Sequence, residues 1–256
     1  AKPTPQLMIW SATKKNTVIV GELARSLGAK VPGRLVSSAK SWLCSASVDR
    51  TAAILPWGAP ADVQRVSPVE ASAKYLSHIR EAWDHEMAGR DASKKLAAQD
   101  IVITVPASFD EAARELTVEA AKMAGLARIT LLEEPQAAFY AWMAEHSQSP
   151  GRALSGVQRV LVCDVGGGTT DFSLIDVERT GDPKNPVEVR RTAVGDHLML
   201  GGDNMDLALA RFLEKKVPGH IDAHQFKSLT ALSREAKEKL FSEGAQEKVP
   251  VTVMGR

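Results

Sequence analysis

The chain has 256 residues, with 32 Lys and Arg against 31 Asp and Glu and a formal net charge of +1. That length allows one large domain or two small lobes, and no basic block or aromatic-interleaved basic stripe favours nucleic acid as a partner. No apolar run approaches the roughly 20 residues a membrane helix needs, and the opening Ala-Lys-Pro-Thr-Pro is unlike a secretory leader. The first residue is not Met, so the chain reads as a processed or cut piece. Two cysteines, Cys44 and Cys163, cannot form a disulfide scaffold. Cys163 is expected to be a small core residue in a buried strand, and the expected compartment is reducing and cytoplasmic. The six His residues lack metal-ligand spacing, and His78 and His85 are expected on a solvated helix face.

Thr17-Val18-Ile19-Val20 predicts a strand, followed by Gly21 and a short helix from Glu22 to Ser26. A second helix is expected from Ala39 to Cys44, and Pro56 to Pro60 is a loop. Ser67-Pro68-Val69-Glu70 combines an N-cap Ser, Pro at the first helical position and Glu at the third, a capping box. Val69, Ala73, Leu76, Ile79, Trp83 and Met87 then recur along one face and predict a core-facing helix. The polar stretch Gly89 to Gln99 reads as a loop, and Ile101 to Val105 as a buried strand stopped by Pro106. Asp110 caps a helix to about Ala124, with Gly125 as its stop. Ile129 to Leu132 is a short strand, Pro135 to Glu145 a helix, and Ser147 to Gly156 a linker. Three strands follow at 159–164, 171–178 and 187–194, with a turn from Glu178 to Pro186 between the last two. Helices are expected at 203–215 and from Ser228 to Phe241, and a last strand from Val249 to Val253. Alternating strands and helices place the chain in the α/β class.

The run Asp164-Val165-Gly166-Gly167-Gly168-Thr169-Thr170-Asp171 carries the functional signal. Glycines lack Cβ, so their N–H groups can approach an oxyanion together. The threonines add hydroxyl donors, and the flanking carboxylates can hold a divalent cation through its water shell. These are the parts of a nucleoside-triphosphate site. No Lys follows the glycines, so this is not a P-loop. Phe172 to Val177 reads as a strand rather than a helix, against a dinucleotide fingerprint. What remains is a β-hairpin phosphate loop; the bland alternative is a glycine-rich hairpin without a ligand.

Four stretches in order resemble the nucleotide-binding domain of the 70-kilodalton heat-shock chaperones (DnaK type), a domain of the actin–hexokinase ATPase superfamily. Ile103 to Phe109 is similar to the family's I-T-V-P-A-x-F, and Leu132 to Ala138 to its N-E-P-T-A-A. Asp164 to Asp171 is similar to D-L-G-G-G-T-x-D, and Gly195-Asp196 with Gly201-Gly202 to G-D-x-x-L-G-G. The resemblance implies an α/β actin-like ATPase (ribonuclease-H-like) fold of two lobes, incomplete at both ends. Residues 1–148 would belong to lobe I, with 1–98 peripheral and 99–148 core. Residues 149–256 would belong to lobe II, with 157–205 core and 206–256 the start of its periphery.

The resemblance also implies roles. Gly166, Gly167, Gly168 and Thr169 would hold the β- and γ-phosphates of ATP or ADP, with Thr170 beside them. Asp164 and Asp171 would sit near Mg²⁺ and its waters, and Glu134 would accept from metal-bound or attacking water. Lys40 matches the family's catalytic lysine, and its bland reading is an exposed surface lysine. Gly201 and Gly202 would approach sugar and phosphates, and Lys237 would lie along the adenine. Pro106 and Arg114 match a pair that relays nucleotide state to the peptide-binding domain; otherwise they are a strand terminator and a surface arginine.

Several departures stand out. One extra residue separates Gly195-Asp196 from Gly201-Gly202, and Asp203 stands where the family has Glu. Arg234 falls where an adenine-contacting Glu is expected, although a shifted register would offer Glu235. The family's first phosphate hairpin, D-x-G-T-T, has no counterpart before residue 40. The closing adenosine motif, the interdomain linker and the peptide-binding domain are not in the sequence either.

The expected function is therefore a piece of an ATP-hydrolysing chaperone domain that couples turnover to client binding in its parent, with weak or no activity alone. Client polypeptides and co-chaperones would be partners of the parent. Unpaired sheet edges would let two copies pair, so a homodimer of this chain is a further expectation. The alternative is a nucleotide-dependent or nucleotide-free interaction scaffold. A sugar kinase or filament-forming ATPase of the same superfamily fits less well, since no sugar-site motif is present.

Overall fold

The structure, a computed structural model, describes residues 18–45, 47–146, 154–182, 187–195, 198, 200–244 and 247–253. Residues 147–153 of the linker expected at 147–156, residues 183–186 of the expected turn, and Thr17, Asp196, His197 and Met199 lie outside them.

Helices α1 (Glu22–Lys30) and α2 (Ala39–Cys44) open the described chain. Helix α3 (Pro68–Trp83) begins as its sequence dictates. Glu70 N–H donates to Ser67 Oγ at 3.1 Å, and Ser67 N–H donates back to Glu70 Oε2 at 2.7 Å. Only the first half of its apolar stripe is core. Val69 and Ala73 are buried and Leu76 packs beside them, whereas Ile79, Trp83 and Met87 are exposed. Arg80 reaches the carbonyl of Ala124 just past the end of the neighbouring helix, so later turns have no helix to pack on. They meet the 89–99 stretch instead, where Trp83 Nε1 donates to Lys94 O at 2.9 Å and Leu96 N–H to Asp84 Oδ1 at 2.8 Å. That stretch holds two short 3-10 turns rather than a plain loop.

Strands β1 (Ile101–Val105) and β2 (Ile129–Glu133) pair in parallel, joined by helix α4 (Glu111–Met123) as the crossover. The buried side of α4 is built of alanines: Ala113 and Ala120 pack with Leu43 of α2 and Val69 and Ala73 of α3, and Ala121 with Ile101, Ile103 and Ile129 of the sheet. Gly125 takes φ of +78°, where a side chain would be strained, and ends the helix. Helix α5 (Glu134–Glu145) starts where β2 stops.

Strands β3 (Arg159–Val165), β4 (Thr170–Arg179) and β5 (Val187–Val194) form an antiparallel sheet in the order β3-β4-β5. Phe139 of α5 and Leu154 pack on Ile175 and Val177, with Val160 and Val162 beside them. Val160, Val162 and Asp164 thus share the covered face with Ile175, Ser173 and Asp171, because cross-strand partners point the same way. The odd-numbered residues of β3 fall on the other face. Cys163 is therefore exposed, correcting the expectation of a core cysteine. Leu154, expected in a linker, is part of this core.

Helices α6 (Gly202–Glu214) and α7 (Ala223–Leu240) complete the described elements. α7 starts five residues before the expected Ser228, because Asp222 and Gln225 form a capping box. Neither Val18–Val20 nor Val249–Val253 is a strand, since no described strand lies beside them to complete a ladder. Val251 and Val253 instead pack on Ala210, Ile221 and Leu229 of the α6–α7 pair.

Arg50 holds both oxygens of Asp110 at 2.8 Å, while Oδ1 of Asp110 also caps α4 by accepting from Ala113 N–H at 2.7 Å. The Arg50 guanidinium, then the cap bond, hold the Asp110 carboxyl down at about 2. A depressed folded value means the pair stabilises fully above the ordinary 3.8 and loses its contribution as pH falls through about 2. Urea unfolding of Asp110→Asn against the unaltered chain should show a stability gap that is constant above pH 3.8 and closes between there and about pH 2.

Candidate functional site

The β3–β4 turn is the expected glycine hairpin. Gly166 N–H donates to Thr169 O at 2.8 Å and closes it. Gly167 is exposed with open space where a Cβ would stand. Among the described residues, the N–H groups of Gly167 and Gly168 have no hydrogen-bonded acceptor. They are the donors an oxyanion would use. Asp164 and Asp171 face one another across the ladder at the hairpin's base, and Asp171 is buried.

A second glycine turn docks on the first. Gly202 N–H donates to Gly166 O at 3.0 Å, and Asp203 N–H to Gly167 O at 2.7 Å. A Cβ on Gly201 would lie 2.6 Å from both of those carbonyl oxygens, so no other residue fits without moving backbone. Thr170 anchors the same junction, exchanging backbone bonds with Leu198 and donating its hydroxyl to Leu200 O at 2.7 Å. That hydroxyl is spent on structure. Lys237 of α7 donates to Gly202 O at 3.2 Å and pairs with Asp206 at 2.5 Å.

Lys40, on α2, donates to Glu134 Oε1 at 2.5 Å, so two of the candidate catalytic side chains meet although 94 residues apart. Lys40 is followed by Ser41, whose Oγ lies 2.7 Å from where a Gly168 Cβ would be. Helix α2 is therefore pressed against the hairpin. Cys44 on the same helix is held neutral, since burial pushes its thiol up to about 11.

Glu133, just before Glu134, is bound from two sides. Arg114 of α4 donates to Oε1 at 2.9 Å, and Arg191 of β5 pairs with Oε2. Arg114 also bonds Phe109 O at 3.2 Å, while Pro106 is buried at the end of β1. Sequence reasoning missed Glu133 and Arg191; their 58-residue separation leaves no local pattern to find. It also missed Ser41, for which Lys40 next door was the available signal.

A cleft of 1970 Å³ opens beside the hairpin, between the α1–α2 region and helices α6 and α7. Ser41, Trp42, Trp57, Gly168, Asp203 and Arg234 are among its walls. Gly168 and Lys40's neighbour Ser41 bring the site to this cleft; Glu134, Asp164 and Asp171 are not part of its wall. Among the described residues, contacts that span it include Ser38 Oγ donating to Asp203 Oδ2 at 3.0 Å and Arg25 pairing with Glu238. Burial pushes the Glu238 carboxyl up, but bonds from Arg25 and Arg234 outweigh it and hold it below its ordinary value. The Glu238 bond in turn raises Arg25.

The family model described as Hsp70 protein matches residues 11–254. The chain belongs to the Hsp70 family. A "Chaperone protein HscA homolog" of Acinetobacter baylyi is 35% identical over 179 residues, covering 69% of this chain. A "Heat shock 70 kDa protein BIP3" of Oryza sativa subsp. japonica is 31% identical over 256 residues, covering 92% of it. A "Chaperone protein dnaK" of Thalassiosira pseudonana is 32% identical over 254 residues, covering 93%. The chain spans 26%, 35% and 38% of the lengths of these three relatives. Its mixed helix and strand architecture is consistent with the family's α/β, actin-like ATPase fold.

Within this Hsp70 chain the Gly201 contact is the least forgiving. Gly201→Ala should part the two glycine turns, lower the unfolding midpoint, and raise amide exchange at Gly167, Gly202 and Asp203 together. Unchanged exchange at those three amides would show that the junction yields to a methyl group.

Proposed function

We propose that this chain is a nucleotide-binding part of an ATP-hydrolysing Hsp70 chaperone, which uses ATP turnover to control client binding in the longer protein. The observation that carries this reading is the pair of free N–H groups at Gly167 and Gly168, set between α2 with Lys40 and the carboxylate pair Asp164–Asp171. Client polypeptides and co-chaperones would act on the parent protein, and a cytoplasmic setting fits the two unpaired cysteines.

The donor set suits Mg²⁺ held through water. Among the described residues no three His, Cys, Asp or Glu side chains are placed to bind a metal directly. Two facing carboxylates remain, and Mg²⁺ commonly keeps several waters and takes one or two carboxylates plus substrate phosphates. Asp164 and Asp171 would hold it, and the ion would supply charge neutralisation between the phosphates.

The protein groups would then act as follows. Gly167 and Gly168 N–H groups would fix the phosphate oxygens without reorganising. Lys40 would place its ammonium beside the phosphoryl group in transit, moving from Glu134, which now holds it at 2.5 Å. Glu134, released from Lys40, would accept a hydrogen bond from the attacking water and set its line of approach. Gly201 and Gly202 would let the nucleotide pass close to the α6 N-terminus, where the helix dipole favours anions. Residues up to 148 and from 149 onward would form the two lobes around the cleft.

A second reading, a protein-interaction scaffold, is favoured by one observation. On α7, Arg234 and Lys237 are already paired with Asp203, Asp206 and Glu238, which leaves fewer groups for a base. Calorimetric titration with ATP and ADP, with and without Mg²⁺, separates the two. The nucleotide reading expects Mg²⁺-dependent binding that weakens about tenfold or more in Asp171→Asn, as loss of a group that orients a metal's shell does. Lys40→Ala should leave affinity within about threefold, because its contribution belongs to the transition state. No binding by the folded chain would support the scaffold.

A further inference from the structure

Glu133 carries a charge bridge that the phosphate chemistry does not use. It ends β2 and stands at the N-cap of α5, yet its side chain makes no cap bond to that helix. A capping side chain ordinarily accepts from a backbone N–H of the first turn. Here both oxygens go to arginines instead. Arg114 of α4 donates to Oε1 at 2.9 Å, and Arg191 of β5 pairs with Oε2. The Glu133 side chain is largely buried and both arginines are half-buried. Charged bonds at both oxygens, away from water, hold the carboxylate in one orientation.

The two arginines come from different parts of the chain. Arg114 precedes residues 147–153 and is itself fixed, donating to Phe109 O at 3.2 Å. Arg191 follows them, on the sheet that carries the glycine hairpin, and stands opposite Ile175 of β4. Ile175 and Asp171 are both buried and share one face of β4. At about 3.3 Å per strand residue, the Arg191 position lies roughly 13 Å along β4 from Asp171. Glu134, the residue after Glu133, accepts from Lys40 at 2.5 Å. Lys40 and Glu134 thus belong to the earlier part, while Asp164, Asp171 and the hairpin belong to the later one. Phe139 packed on Ile175 and Val177 also joins the two parts, but apolar packing is non-directional. The Glu133–Arg191 pair fixes a direction as well as a contact.

We propose that Glu133 and Arg191 are positioning residues, whose ion pair sets the placement of Glu134 against the glycine hairpin and the Asp164–Asp171 pair. Neither lines the cleft, so both act through Glu134. The placement does not depend on the nucleotide reading above; its consequence for phosphoryl transfer rests on that reading. Without the Arg191 charge, Glu133 keeps Arg114, and Phe139 keeps its core contacts. Glu134 is then oriented only by its own side of the molecule. Misplacing a reacting group by about 1 Å can cost on the order of a hundredfold in rate. The loss should fall on the transition state and spare ground-state binding.

The test compares the folded 256-residue chain with Arg191→Met, which keeps side-chain length without the charge, and Arg191→Lys, which keeps the charge. A nitroxide on the exposed Cys163 of β3, in a Cys44→Ala background, reports by paramagnetic broadening how the sheet lies against α5. Arg191→Met should change the broadening of the Glu134 and Gln136 amides and leave that of Phe172 and Leu174 as it was. Arg191→Lys should restore the original pattern. Unchanged broadening at Glu134 and Gln136 in Arg191→Met overturns the proposal. Calorimetry with Mg²⁺ and ADP, alone and with fluoroaluminate as a stand-in for the phosphoryl group in transit, carries the test to the site. Arg191→Met should leave ADP affinity within about threefold and weaken the fluoroaluminate complex by about tenfold or more. Equal losses with the two probes would make the bridge merely structural and overturn the positioning role. If the unaltered chain binds no ADP, the nucleotide reading fails, and the broadening alone decides the placement.

Discussion

The site depends on two glycine turns, 35 residues apart, that touch backbone to backbone. Gly166 and Gly167 turn their carbonyls toward Gly202 and Asp203 and their neighbouring N–H groups the other way. Each of the two bonds adds about 1 kcal/mol net, a small sum; the stricter constraint is steric. With 2.6 Å between a Cβ on Gly201 and two carbonyl oxygens, any side chain pushes the turns apart. Close docking has a chemical result, because the hairpin carbonyls are satisfied by protein while Gly167 and Gly168 keep donors to spare. It also ties the start of α6 to the hairpin, whose carbonyls take the first N–H groups of that helix.

A second constraint joins the parts of the chain on either side of residues 147–153. Glu133 ends β2, pairs with Arg114 on its own side and Arg191 on the β3-β4-β5 sheet, and is followed by Glu134. Glu133 is 12% exposed and its two arginines 26% and 29% exposed, so removing Glu133 would leave two half-buried guanidinium groups without their carboxylate. Lys40, Glu134 and the hairpin therefore do not hold their relative positions through weak surface contacts alone. The α5 helix adds a second tie, with Phe139 packed on Ile175 and Val177. The Ser38–Asp203 and Arg25–Glu238 contacts across the cleft are more exposed and easier to break, which suits the side a ligand enters.

Most of this arrangement could be read locally where a cap, a turn or a short pattern fixes it. Ser67 and Asp110 announced their helices through side chains three residues from their partners, and Gly166 to Thr170 declared a hairpin. What escaped were features set by distant neighbours. The α3 stripe continues in sequence to Met87, but α4 ends near Arg80, so Ile79, Trp83 and Met87 have nothing to bury them. Val249 to Val253 has strand composition, but no described strand lies beside it. Cys163 was misplaced because a strand covered on one face shows its alternate residues to the other. The candidate site was legible as residue types, while the Lys40–Glu134 bond, the Glu133 bridge and the Trp42–Trp57 stack exist only in three dimensions.

Under the proposed function the N–H donors of Gly167 and Gly168 in the glycine hairpin receive phosphate. Backbone amide resonances of the ¹⁵N-labelled chain, followed during addition of Mg²⁺ and ADP, test it residue by residue. Phosphate bound there should give the largest downfield shifts at Gly167 and Gly168, with smaller changes at Gly202 and Asp203, whose bonds already hold them. Saturable binding that leaves Gly167 and Gly168 unmoved would contradict it.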